Sequence, residues 1–261
     1  QRLYCTVKCQ YKGLEGLQNS CLAAEDGSLT YQRGADGVII PGTEVEKPAV
    51  DGGTLKLTID SDLQWFMQQL ISEETARYQA DWGGTIVMEA KTGKIRALAE
   101  TNSVDPNDPG ASSPDDRGSR LLRVAYEPGS TFKPTTALAL LEAGVDPNLT
   151  VVCTGAYRTG NRVQRCWGRH GVQNMHNAIK NSCDVYFYAM CNRAGVDNIR
   201  KAGLALGFEH EFDIGVGNQR KGLLPSTEWK ARTFPRDPVW HPGETTSVAI
   251  GQGARYADRL P

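Results

Sequence analysis

The sequence predicts an α+β fold, and three stretches carry that expectation. DSDLQWFMQQLISEETARY places Leu63, Phe66, Met67, Leu70 and Ile71 at helical spacing behind an Asp/Ser cap, which predicts one amphipathic helix. GGTIVMEAKTGKIRALAE then reads as two strands folded about Lys91-Thr92-Gly93-Lys94, a hairpin that the preceding helix can cover. Further on, TTALALLEAG forms an apolar run that follows Pro134 and reads as a second helix.

The remaining elements follow from turn and cap signals. Residues 1–53 are rich in glycine and turn residues, and LTYQRGADGVIIPG sets Asp36-Gly37 between two strand-like runs, as a hairpin turn does. That predicts a small β-rich appendage, with a second domain from residue 54 to 261. Residues 102–119, with three prolines, read as a polar loop. NMHNAIKNSCDVYFYAMCNR reads as helical on both sides of NSCD, with Gly195 as its stop. Beyond residue 205 glycine and proline become frequent, and the chain is expected to stop before its architecture closes.

Composition narrows the function classes. The 261 residues are long enough to bury a substantial core, and 39% hydrophobic with 23% charged residues is ordinary for a globular chain. A formal net charge of -1 supplies no field for a polyanion, so no nucleic acid partner is expected. No stretch approaches the eighteen or so apolar residues of a membrane span, and the start at a glutamine suggests a fragment of a longer chain. Seven cysteines are too few for a disulfide scaffold of this length, and the odd count leaves at least one unpaired or bound elsewhere.

Chemistry enters at YEPGSTFKP. Pro134 fits a helix only in its first turn, so the helix must begin close to Ser130, where free N–H groups and the dipole stabilise developing negative charge. Lys133, one turn on, shares a face with that hydroxyl. To act as a base it must shed its proton, which takes ~4 to 5 kcal/mol of burial and electrostatic pressure. The plainer alternative is a capping serine beside a solvated lysine.

YEPGSTFKP resembles the active-serine segment of the class B penicillin-binding proteins, the D,D-transpeptidases of peptidoglycan. LTIDSDLQ and GTIVMEAKTGKIRALA resemble the family's entry into the transpeptidase domain, and GLEG with DGSLTYQRGADGVIIPG the end of its N-terminal pedestal. AIKNSCDVYFY, GLLPSTEW, VWHPGET and AIGQG follow in the order of the elongation-specific, penicillin-binding protein 2 branch, while the early segments look more like the division branch.

The resemblance implies a penicillin-binding-protein/β-lactamase-like fold with a pedestal remnant at 1–53 and transpeptidase residues at 54–261. Ser130 would be the acylated nucleophile and Lys133 its base. Ser182 and Asp184 match the second motif, Ser-x-Asp, with Ser182 relaying a proton and Asp184 bonding the lysine or the substrate amide. Lys91-Thr92-Gly93 and Ser113-Pro114-Asp115 spell family motifs but precede Ser130 and are expected to be a turn and a loop. The true Lys-Thr/Ser-Gly motif is expected to be missing, since ARYADRLP departs from the family's continuation after AIGQG.

The resemblance also implies stem peptides and β-lactams as ligands, a membrane glycosyltransferase and shape-determining proteins as partners, and a place on the outer face of the bacterial cytoplasmic membrane. A β-lactamase or β-lactam-sensor domain, and a catalytically incomplete structural module, are the alternatives.

Cys153, Cys166, His170 and Cys183 form C-x12-C-x3-H-x12-C, the ligand types of a closed tetrahedral zinc site. Elongation-type relatives hold zinc through matching positions, which implies these four as structural ligands. A Cys153–Cys166 disulfide, permitted outside the cytoplasm, is the alternative. His176 is expected at the surface, Cys191 buried in a helix, and Cys5, Cys9 and Cys21 carry no pattern.

Overall fold

The computed structural model describes residues 13–102, 104, 118–217 and 219–252. Cys5, Cys9, most of the polar loop with Ser113-Pro114-Asp115, and the terminal ARYADRLP lie outside the described residues. Two compact units divide the chain, Gln1–Val124 with Phe212–Gln219 and Ala125–Glu211 with Arg220–Pro261. The expected domain boundary at residue 53 falls inside the first of these.

The first unit opens with two short helices that no cap or period announces, α1 (Gly13–Leu17) and α2 (Asn19–Leu22). Strands β1 (Ser28–Thr30) and β2 (Val45–Lys47) pair antiparallel, and bridges Glu25–Val50 and Arg33–Ile39 extend the ladder on either side. Its tip is the expected Asp36-Gly37 turn: the Gly37 N–H donates to the Gly34 carbonyl at 2.9 Å, and φ of 81° at Gly37 demands glycine.

Helix α3 (Ser61–Arg77) starts where the cap predicts, with the Asp60 side chain accepting from the Leu63 N–H at 3.0 Å. Strands β3 (Gly84–Met88) and β4 (Ile95–Glu100) pair antiparallel with Ile86 opposite Leu98. Between them Lys91-Thr92-Gly93 is an exposed turn, closed by the Gly93 N–H on the Glu89 carbonyl at 2.8 Å. Helix α3 does cover the hairpin, with Leu63, Met67 and Ile71 half-buried and glutamines beside them.

No α3 residue is buried, and Trp65 and Phe66 remain 68% and 54% exposed. The helix meets the outer edge of β4, where unpaired backbone groups call for hydrogen bonds. Gln64 supplies two at 2.8 Å, accepting from the Leu98 N–H and donating to its carbonyl, and Gln68 donates to the Glu100 carbonyl at 2.9 Å. Helix α4 (Arg120–Arg123) closes the unit, with the Arg120 N–H donating to Glu100 Oε2 at 2.8 Å.

The second unit begins with a 3-10 turn, Gly129–Phe132, that runs directly into α5 (Lys133–Glu142) with Pro134 in the first turn. Strands β5 (Val151–Cys153), β6 (Ala156–Thr159), β7 (Arg162–Arg165) and β8 (Gly171–Gln173) follow. The β6–β7 hairpin is inserted between β5 and β8, which pair with each other. Helices α6 (Met175–Lys180) and α7 (Asp184–Ala194) flank Ser182 and Cys183, and Gly195, at φ 79°, ends α7 as predicted.

Among the described residues, the segment beyond residue 195 holds three further helices, α8 (Val196–Ala205), α9 (Thr227–Thr233) and α10 (Pro242–Ala249). In this segment helices thus continue past residue 205, where glycine and proline become frequent. Its prolines and glycines punctuate the helices instead of abolishing them: Pro242 sits in the first turn of α10, and Ser226 caps α9 by accepting from the Trp229 N–H at 3.0 Å.

Helices α5, α7, α8 and α10 enclose the core of this unit. Leu140, Tyr186, Phe187, Ile199 and Ala249 are all fully buried within it. Burying each large apolar side chain contributes about 1.5 to 3 kcal/mol, enough in sum to hold the short helices that isolated propensity would not.

Candidate active site

The core fixes two chain segments against each other, the 3-10 turn before α5 and the α6–α7 junction. Lys133, the first residue of α5, is 1% exposed, with its amine directed to that junction. Its Nζ lies 3.0 Å from Ser130 Oγ, 2.9 Å from Ser182 Oγ, 2.8 Å from the Ser182 carbonyl oxygen and 2.5 Å from Asp184 Oδ1. These are four oxygens around a group that, as an ammonium, has three N–H donors.

Two backbone features arrange this. The 3-10 turn and α5 form one continuous helical path, so Ser130 and Lys133 project on one side of it while Ser130 stays exposed. Ser182 has φ of 50°, a left-handed conformation unusual for a side chain, and so presents both its hydroxyl and its carbonyl to the same amine. Ser182 is no helix cap, since Cys183 holds the N-cap position of α7 and Asp184 opens its first turn.

The four residues sharing the cysteine–histidine pattern also converge. One donor atom each from Cys153, Cys166, His170 and Cys183 lies within 4.8 Å of all the others, so the cluster could hold a metal. His170 Nδ1 is 3.5 Å from the sulfurs of both Cys153 and Cys166. A tetrahedral zinc, with bonds of about 2.3 Å to sulfur and about 2.0 Å to nitrogen, sets such a pair roughly 3.5 Å apart, so the residues fit that ion.

The thiols differ sharply in their acid–base character. Burial pushes Cys153 up, yet hydrogen bonds from the His170 and Gly155 backbone and the His170 ring outweigh it and bring the thiol down to about 7. Cys183 is pushed up to about 12, chiefly by burial and also by the neighbouring Cys153 and Cys166. Several thiolates cannot share this pocket unless a cation compensates them.

All five described cysteines are free thiols, Cys153 and Cys166 among them. Cys191 is fully buried in α7, and His176 is exposed. Trp167 is a site element that motif reading passed over. Its ring is 73% exposed, yet its N–H is shared between the carbonyls of Asn181 and Ser182 at 3.2 Å each. The same ring meets His170 edge-on with centroids 4.8 Å apart, so it links the cysteine cluster to Ser182.

This α+β fold, with a helix-start serine and lysine facing a second serine across a helix junction, is that of a transpeptidase domain. The penicillin binding protein transpeptidase domain family matches residues 83–257, and the chain belongs to that family. It is 32% identical to the penicillin-binding protein PbpB of Mycolicibacterium smegmatis over 93% of its own length and 38% of that protein.

To the peptidoglycan D,D-transpeptidase MrdA of Acinetobacter baumannii it is 32% identical over 82% of this chain and 33% of the relative. The PBP2 of Helicobacter pylori, solved in complex with MreC, superposes with a TM-score of 0.78 at 25% identity, covering 94% of this chain and 47% of that one. The chain thus spans less than two fifths of the curated relatives' length.

Proposed function

We propose that the chain carries the acylation half of a class B peptidoglycan D,D-transpeptidase, with Ser130 as nucleophile. The observation that supports this most directly is Lys133 Nζ lying between the hydroxyls of Ser130 and Ser182, at 3.0 and 2.9 Å. Asp184 Oδ1, at 2.5 Å, is close enough to take up a lysine proton and leave the nitrogen lone pair facing Ser130.

Ser130 Oγ then attacks the penultimate D-Ala carbonyl of a stem peptide while its proton passes to Lys133 Nζ. Collapse of the tetrahedral adduct breaks the peptide bond, and the leaving D-alanine amine takes a proton through Ser182 Oγ. The acyl-enzyme is resolved by an amine of a neighbouring strand, whose proton retraces the same path. A β-lactam acylates the same oxygen. Free N–H groups at the start of the helical path favour the charge that develops near Ser130.

Zinc bound by Cys153, Cys166, His170 and Cys183 would be structural, with all four positions filled by protein and none left for chemistry. Cys183 lies between Ser182 and Asp184, so a metal there would hold both of them. The chain is proposed to work in the cell envelope, outside the cytoplasmic membrane, within a longer protein. Its residues 1–53 would be part of a pedestal, and its partners a glycosyltransferase and shape-determining proteins. The Helicobacter relative's complex with MreC supports the second partner. Among the described residues no helix is long and apolar enough to cross a membrane.

The test is intact-mass measurement after incubation with benzylpenicillin. One adduct on the wild-type chain and none on Ser130→Ala is expected. A wild-type chain that stays unmodified while folded overturns the assignment.

A further inference from the structure

A second lysine is as deeply buried as Lys133 and lies outside the proposed chemistry. Lys230, on α9, is 1% exposed, and its Nζ straddles the Glu244 carboxylate at 2.8 Å from Oε1 and 2.7 Å from Oε2. Asp237 Oδ2 lies 3.3 Å away on the solvent side, where the Lys230 hydrogen bond and then His241 hold its carboxyl below the usual range. Glu244 is itself 17% exposed, and its Oε2 also accepts the His241 N–H at 2.7 Å, capping the start of α10.

The far end of α10 reaches the nucleophile's turn. The Ala249 carbonyl accepts the buried Thr136 hydroxyl of α5 at 2.8 Å. Two residues on, the Gly251 carbonyl accepts the Gly129 N–H at 3.0 Å, and Gly129 immediately precedes Ser130. A Cβ at Gly251 would lie 2.8 Å from both the Gly129 nitrogen and Phe132 Cβ, so backbone meets backbone here without slack.

A lysine–glutamate pair with a buried lysine seldom stabilises more than apolar residues of the same shape, and fixing the position of its elements is the best-attested use of such a pair. Salt-bridge geometry restrains position closely, because both carboxylate oxygens are held at once. We infer that Lys230 is a positioning residue: with Glu244 it fixes the α9–α10 contact, and α10 in turn sets the backbone of Gly129 and thereby the aim of Ser130. The functional part of this inference rests on the acyl transfer proposed above, whereas the mechanical coupling does not.

The experiment therefore reads both. Hydrogen–deuterium exchange at Gly129 and the second-order rate of acylation by a fluorescent penicillin are measured on wild type, Lys230→Met, and the double variant Lys230→Met with Glu244→Gln. The single variant leaves the part-buried Glu244 carboxylate without its cation and is expected to lower the melting temperature. The double variant removes that stranded charge and is expected to regain most of it.

In both variants Gly129 is expected to exchange at least tenfold faster, with Tyr186–Met190 amides of α7 unchanged in the double variant. Acylation is expected to fall at least tenfold with the encounter affinity unaltered. Gly129 exchange and acylation that recover together with stability in the double variant would overturn the inference, as would exchange that rises uniformly across the unit. If the wild-type chain is not acylated, the proposed chemistry fails, and Gly129 exchange alone still decides the coupling.

Discussion

Gly251 and Gly129 pack backbone to backbone at the foot of the Ser130 turn, both with left-handed φ, 70° and 56°. The Gly129 N–H donates to the Gly251 carbonyl at 3.0 Å, and no room remains for a side chain at Gly251. A methyl there meets unyielding backbone and an unfavourable φ together. Gly251→Ala is expected to cost about 2 to 4 kcal/mol and to depress penicillin acylation at least tenfold. Chemical denaturation and labelling kinetics check it. At Gly129 an added Cβ meets nothing within 4 Å, so Gly129→Ala should carry the conformational cost alone and lose less stability.

Ser182 separates backbone strain from chemistry. At φ 50° a residue with a side chain is strained, and the hydrogen bonds to Lys133 and Trp167 hold it in place. Ser182→Ala and Ser182→Gly both remove the hydroxyl 2.9 Å from Lys133 Nζ, and both should lose acylation by about two orders of magnitude. Glycine tolerates the conformation, so Ser182→Gly should be more stable than Ser182→Ala by about 1 kcal/mol. Equal melting temperatures would argue against strain at this residue.

Local rules were sufficient for the elements they govern. Asp60 marks the start of α3, Gly195 the end of α7, and Pro134 the first turn of α5, because each acts through its own backbone. Ser130, Lys133, Ser182 and Asp184 were singled out by the resemblance of their segments to the family's motifs, and in the fold they meet at one amine.

What stayed hidden depends on distant partners. Strands β5 to β8 are three or four residues long, too short for a periodic signal to rise above the turns. Lys230 looks like any solvated lysine until Glu244 closes over it, and the φ of Ser182 is imposed by Lys133 and Trp167. The apolar positions of α3 held in part: Leu63, Met67 and Ile71 are half-buried, while Phe66 and Leu70 stay exposed because the helix docks on a sheet edge that Gln64 and Gln68 satisfy.

The cysteine cluster makes a sharp prediction about metal. With zinc bound, the wild-type chain is expected to carry one ion, measured by a chromophoric chelator after denaturation. Removing it should lower the melting temperature by several degrees, because a structural site couples ligation to folding. Cys166→Ser takes out the ligand on one side of His170 Nδ1, and should lose both the metal and the chelator's effect. A thiol titration finding Cys153 and Cys166 oxidised, with no metal, sinks the proposal.

Glu209 gives the second unit an acid-sensitive brace. Arg200 grips it with both guanidinium nitrogens, at 2.7 and 2.6 Å, and the Leu224 N–H donates to the same carboxylate at 2.5 Å. Burial pushes the Glu209 carboxyl up, but the Arg200 hydrogen bonds, the Leu224 N–H and the Arg200 charge together hold it below the usual carboxylate range. A carboxyl more acidic folded than unfolded contributes stability that is fully present above its unfolded value of about 4.3, and that fades as pH falls through the folded value. Glu209→Gln is therefore expected to cost on the order of 1 to 2 kcal/mol at pH 7, and progressively less below pH 4. Paired denaturation curves across that range check it, and a penalty that persists unchanged at pH 2 would mean that packing, not charge, holds this corner.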